Sequence, residues 1–286
     1  MLRLRRACAT IARGTKFVSA GTLAIQDSSS PKIELLGVSK TFATSQGSVK
    51  ALDKTNLKVA TNEIVCLVGP SGCGKSTLLN LVAGFLSPSE GSVLVDATPV
   101  PGPGAERAVV FQQDSVFPWL TVAQNLAYGP KARGLHAGEV SSIVERLLSL
   151  VGLAEYRDFY PLQLSGGMKK RVDLARAYAN KPAIMLMDEP FGALDVLTKE
   201  KMQIELLRLW QEEALTILFV THDIEEALFI GDRVVVMTPR PARVAADVTV
   251  HLERELDPRR KTSADFQALR QQLMDTLSQN EAESAA

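Results

Sequence analysis

Gly69–Thr77 reads GPSGCGKST and matches the spacing G-x-x-x-x-G-K-[ST]. Residues of these types in this order build a phosphate cradle. Glycines let the backbone of Gly69, Pro70, Ser71, Gly72, Cys73 and Gly74 curl its N–H groups around an anion. Lys75 would reach the β- and γ-phosphates, Ser76 would ligate Mg2+, and Thr77 completes the motif. The loop lies between an apolar run, EIVCLVG, and a helix-like segment, STLLNLVAGF, which is the strand–loop–helix setting that this chemistry needs. A bound nucleoside triphosphate is the expectation.

Three further stretches carry chemistry. In AIMLMDEP an apolar strand delivers Asp188 and Glu189 to its C-terminal end, where open α/β sheets place their ligands. Asp188 suits Mg2+ held through water, and Glu189 suits a general base that polarises the attacking water. TILFVTHD repeats the design and brings His222 to the same edge, within reach of a γ-phosphate. The third, LSGGMKKRVDLARA, puts Ser165, Gly166 and Gly167 at a helix start with basic residues behind, the build of a second anion site. A helical insertion that carries this helix outward would aim it at nucleotide bound by a second copy of the chain. Two ATP molecules would then be sandwiched head to tail across a two-fold axis, an interface that closes on itself.

The elements that must position these groups are legible as apolar runs. Arg107–Phe111, Ala183–Met187, Thr216–Val220 and Arg233–Met237 read as buried strands separated by helical segments, which predicts a mostly parallel sheet covered by helices. KIELLGVSKTF and VKALDKTNLKV alternate like an antiparallel β subdomain. Strand signals vanish over residues 113–163, where EVSSIVERLLSLVGL gives helical spacing, so a helical subdomain is expected there. The expected fold is α/β, with a cassette over 32–250 and a helical tail over 251–286. In that tail Phe266, Leu269, Leu273 and Leu277 share one face and should pack on the body. Residues 1–31 read as a basic extension without fixed structure. Its Arg-rich composition, acid-free from Met1 to Gln26, also fits a targeting segment or a misplaced start codon.

Composition bounds the function classes. Lys and Arg number 32, as do Asp and Glu, so no basic surface for nucleic acid is expected. No apolar run approaches the roughly 18 residues that span a bilayer, so membrane association would come through a partner. Cys8, Cys66 and Cys73 make no metal or disulfide pattern and suit a reducing cytosol. The Cys73 thiol, if exposed, would be shielded by nucleotide.

With all motifs in order, Lys32 to Val250 resembles the ATP-binding cassette (ABC) subunits of membrane transporters. The resemblance makes GPSGCGKST the Walker A loop, AIMLMDEP Walker B, LSGGM the signature, FGALD (Phe191–Asp195) the D-loop and THD the switch histidine. Gln112, rather than Gln113, takes the Q-loop position, contacting Mg2+ or water, with the following segment meeting the permease. Phe42 falls where the family stacks a ring on adenine, and Asp195 joins the nucleotide-binding set. The signature commonly ends in glutamine, so Met168 puts a polar contact there in doubt. Residues 101–129 and 222–244 look like cassettes of nitrate, sulfonate and taurine importers. The resemblance implies a peripheral ATPase at the cytoplasmic face of the inner membrane. It implies a homodimer on two permease subunits, served by a periplasmic or lipoprotein solute-binding protein. A soluble ABC ATPase and an exporter cassette remain the alternatives.

Overall fold

The computed structural model describes residues 30–45, 47–113, 115–192, 194–213, 215–252 and 256–285. Cys8 and the basic extension up to residue 29 lie outside the described residues. The first unit is a hairpin of β1 (Ile33–Thr44) and β2 (Gly47–Val59), extended by β4 (Glu90–Val95) and β5 (Thr98–Pro99) into an antiparallel sheet of order β2-β1-β4-β5. Period-two burial makes it one-sided. Leu57 and Val59 point inward while Lys58 between them is exposed.

The second sheet holds β3 (Ile64–Val68), β6 (Arg107–Val110), β7 (Ile184–Asp188), β8 (Thr216–Val220), β9 (Arg233–Met237) and β10 (Val244–Thr249), in the order β10-β9-β3-β8-β7-β6. All neighbours are parallel except β10, which turns back on β9. Every residue of β3 and β8 is buried, because both faces of this sheet are covered. Alternate residues divide between two cores. Val65 and Leu67 join the antiparallel sheet and α1 (Lys75–Ala83). Ile64, Cys66 and Val68 join the helical side.

That helical side contains α2 (Val122–Ala132), α3 (Ala137–Leu150), α4 (Gly166–Tyr178), α5 (Val196–Glu213), α6 (Ile224–Ile230) and α7 (Ala264–Ala285). Helix α2 opens with a full capping box, Thr121 and Gln124 satisfying each other's backbone N–H groups. Phe266 and Leu273 of α7 are fully buried against the body. Removing the Phe266 ring should therefore cost about 3–5 kcal/mol of stability. Chemical denaturation of Phe266→Ala checks this: an unchanged midpoint would mean that α7 is not part of the core.

Strand register decides where the site lies. Leu67 pairs with Val220, and Val220 with Asp188, so β3, β8 and β7 end on one row. The residues that follow those ends share one sheet edge, and they are the loop after β3, Thr221–His222 after β8 and Glu189 after β7.

Candidate functional site

The loop from Gly69 to Gly74 is shaped by positions that tolerate no side chain. Gly72 and Gly74 have φ of +70° and +133°, and a Cβ on Gly74 would lie 3.0 Å from the Ala51 carbonyl oxygen. Lys75, 5% exposed, donates to the carbonyls of Gly69 at 2.7 Å and Pro70 at 2.9 Å. The ammonium carries three protons, and its remaining close neighbour is the weak acceptor Cys73 Sγ at 3.9 Å. The Cys73 amide donates to the Pro70 carbonyl, while Ser71, Gly72 and Ser76 are exposed and Thr77 half-buried. The Cys73 thiol is 2% exposed, because Gly69 and Lys75 pack over it, so the condition set for nucleotide shielding is not met.

Across the edge, Ser76 Oγ donates to Asp188 Oδ1 at 3.1 Å. Burial raises the Asp188 pKa above its ordinary value and the charge of Glu189 adds to the rise, while the Ser76 hydrogen bond and Lys75 oppose it. Glu189 sits at φ +44°, an unusual conformation for a side-chain-bearing residue. Its backbone is fixed there by Glu189 N–H to the Val220 carbonyl (2.9 Å) and Gly192 N–H to the Glu189 carbonyl (3.2 Å). Strain held this firmly is a mark of functional sites.

Two side chains converge on one oxygen of that residue. Gln112 Nε2 donates to Glu189 Oε2 at 3.3 Å, and His222 Nδ1 lies 3.2 Å from the same atom. The three come from loops after β6, β7 and β8. His222 is held by its neighbours on both sides. Thr221 bonds the Leu67 carbonyl and Glu226, and Asp223 caps α6 and pairs with Lys199 at 2.7 Å.

The remaining expected residues lie apart from this cluster. Ser165 and Gly166 are exposed at the start of α4, where Ser165 Oγ accepts from Met168 N–H at 3.3 Å. Gly167 packs toward Thr198 and Leu194. Among the described residues no hydrogen bond or ion pair joins 165–167 to the phosphate loop. Asp195 accepts from Thr198 N–H at 3.1 Å at the start of α5, and the Thr198 side chain, followed by that N–H, holds its carboxyl below the usual range. Phe42 is half-buried on β1, opposite Val49, with the Lys40 ammonium 5.2 Å from its ring centroid.

The comparisons fit this geometry. The sequence matches the ABC transporter family over residues 52–192. It is 47% identical over 246 residues to an uncharacterized ABC transporter ATP-binding protein of Methanocaldococcus jannaschii, covering 86% of this chain and 91% of the relative. The chain belongs to the ABC transporter ATP-binding family. It is similar also to a taurine import ATP-binding protein of Jannaschia sp. (50% identical; 69% of this chain, 74% of the relative). A nitrate import ATP-binding protein of Synechococcus elongatus is 49% identical (74% and 78%). Among solved structures, a dimeric post-hydrolysis cassette bound to ADP and Pi superposes with a TM-score of 0.69 at 32% identity, over 77% of this chain and 99% of that one. The chain is accordingly an ATPase with the P-loop cassette fold.

Some contacts of the cassette had no signal in the sequence. Arg240 Nη2 donates to the Gly72 carbonyl at 2.6 Å, and with Pro239 it walls a cavity of about 360 Å3 against Pro70–Cys73. TPRPAR reads only as a turn, so nothing marked this arginine as a neighbour of the loop. Lys170 is buried and donates to two backbone carbonyls, a kind of partner that leaves no pattern in residue types.

Proposed function

We propose that this cassette is the ATP-hydrolysing subunit of a membrane importer for a small anionic solute of the nitrate, sulfonate or taurine type. It works as an ATP-sandwich homodimer docked on two permease subunits. The observation that carries the reading is the convergence of Gln112 and His222 on Glu189 Oε2, beside the Ser76–Asp188 pair. Glu189 orients and deprotonates the attacking water, His222 contacts the γ-phosphate, and Gln112 contacts Mg2+ or that water. Residues 69–77 hold the phosphates, Phe42 the adenine, and Ser165–Gly167 of one copy cover the nucleotide of the other. The taurine and nitrate names of the relatives support the solute class, and import over export rests on them.

Mg2+ fits the donors present. Ser76 Oγ and Asp188 Oδ1 are hard oxygens 3.1 Å apart, and Gln112 can turn its carbonyl toward them. Among the described residues no three His, Cys, Asp or Glu side chains cluster to hold a metal, which suits an ion whose other ligands are phosphate and water. When bound it neutralises charge between the β- and γ-phosphates.

Because Asp188 must be ionised to serve, its raised pKa sets a pH dependence. Below that pKa, Mg2+ affinity should fall about tenfold per pH unit, and the fall should begin at a pH above the ordinary carboxylate value of 3.8. Titrating Mg2+ into the ATP-bound protein at several pH values measures this, and a Mg2+ affinity that stays flat down to pH 4 contradicts it.

No helix among the described residues is long and apolar enough to cross a membrane, so attachment falls to the permease. The test is to purify tagged protein from its native cells in mild detergent and identify its partners. Recovery of a multi-span permease supports the importer. Recovery of ribosomal or DNA-bound partners, or of the cassette alone, overturns it.

A further inference from the structure

Helix α4 presents Lys170, Asp173 and Arg176 at three-residue intervals, on one face. All three are charged, yet Lys170 is 4% exposed and Asp173 1%. Burying charges is costly unless each finds partners, so the face must be matched to what it meets. It meets the segment that starts at Phe111. Lys170 Nζ donates to the Phe111 carbonyl at 2.5 Å and to the Gln112 carbonyl at 3.2 Å. Ser115 Oγ donates to Asp173 Oδ1 at 2.5 Å, and Arg176 Nη2 donates to Ser115 Oγ at 2.6 Å. The Arg176 guanidinium also lies over the Phe117 ring at 4.7 Å.

Arg176 pairs with Asp173 at 3.1 Å, and Lys170 stands at 3.8 Å from the other carboxylate oxygen. The Lys170 ammonium also donates to the two successive carbonyls, where a charge-assisted bond in a buried setting is strong. Those carbonyls flank the Cα of Gln112, so the ammonium fixes the peptide from which the Gln112 side chain departs toward Glu189 Oε2. The same helix carries Ser165–Gly167 at its start, five residues before Lys170.

We infer that Lys170 is a positioning residue for catalysis, holding Gln112 on Glu189 through the Phe111 and Gln112 carbonyls and tying that contact to helix α4. The inference rests on the proposed role of Gln112 at Glu189. A group misplaced by about 1 Å can cost about 100-fold in rate. Lys170→Met should accordingly lower kcat for ATP hydrolysis at least tenfold and leave KM for ATP within about twofold of wild type. Lys170→Arg, which keeps a donor and the charge, should recover part of the loss.

The experiment that tests this is a double-mutant cycle with Gln112→Ala, measured as steady-state ATPase of the full chain. If Lys170 acts through Gln112, Lys170→Met should lower the Gln112→Ala rate by less than about twofold. Should Lys170→Met not fold, the pair Lys170→Met with Asp173→Asn removes the donor together with the neighbouring buried carboxylate charge, and it enters the cycle instead with the same expected outcomes. A Lys170→Met loss that adds in full to the Gln112→Ala loss overturns the inference alone. So does a Lys170→Met kcat within twofold of wild type. A Gln112→Ala variant with wild-type turnover overturns the reading of Gln112, and the inference falls with it.

Discussion

Glu189→Gln should lower the rate of ATP hydrolysis by about 10²–10⁴-fold while ATP affinity stays within a few-fold of wild type. The substitution keeps the length and polarity of the side chain. Gln112 at 3.3 Å and His222 at 3.2 Å would still meet an oxygen or a nitrogen at the same position. What it removes is the basic lone pair that the proposed general base would use to take a proton from water. The backbone at φ +44° is held by main-chain bonds to Val220 and Gly192, so the exchange should not relax the loop. Single-turnover hydrolysis and equilibrium ATP binding, measured on the same preparation, separate the two effects. A variant that turns over at more than about a tenth of the wild-type rate would move the base elsewhere.

Lys75→Ala acts at the other end of the same reaction. Lys75 is buried at the mouth of the loop and tied to the Gly69 and Pro70 carbonyls, so its loss removes the cation and leaves two carbonyls without their donor. In the proposed site Lys75 also bonds the β- and γ-phosphates, and each hydrogen bond between charged groups is worth about 1.5–3 kcal/mol. ATP affinity should fall by about 100-fold or more. Calorimetry with ATP reads this directly. Affinity within about fivefold of wild type would show that the loop's amides alone hold the phosphates.

Much of this fold is written in local pattern. Strands β3, β7, β8 and β9 are continuous apolar runs because they are buried on both faces, and such runs are hard to miss. Strand β4 escaped notice because it opens on three exposed residues, Glu90, Gly91 and Ser92, which read as a turn. Strand β10 carries paired alanines and an aspartate, poor β-formers that only pairing with β9 holds extended. The cluster on Glu189 was foreseeable in part. Its members end successive apolar strands, but their distances follow from a register linking Asp188 to Val220 and Val220 to Leu67, which no local window contains. Lys170 was out of reach altogether. On a helical wheel it is one basic residue among four at positions 169–171 and 176, and its partners are main-chain carbonyls 58 and 59 positions away. The thiol of Cys73 illustrates the converse. Its place in a glycine-rich loop suggests exposure, yet the loop closes over it.

In the proposed function, ATP joins two copies of this chain through Ser165–Gly167. The exposure of Ser165 and Gly166, with no hydrogen bond to the phosphate loop of their own chain among the described residues, is what a partner's nucleotide would require. Sedimentation velocity on the Glu189→Gln protein, with and without ATP and Mg2+, tests it most directly, alongside a second sample that also carries Gly166→Arg. The expected result is a monomer without nucleotide, a dimer with it, and a monomer in both conditions once Gly166 is replaced. A species whose mass does not respond to ATP, or a dimer that survives Gly166→Arg, would contradict it.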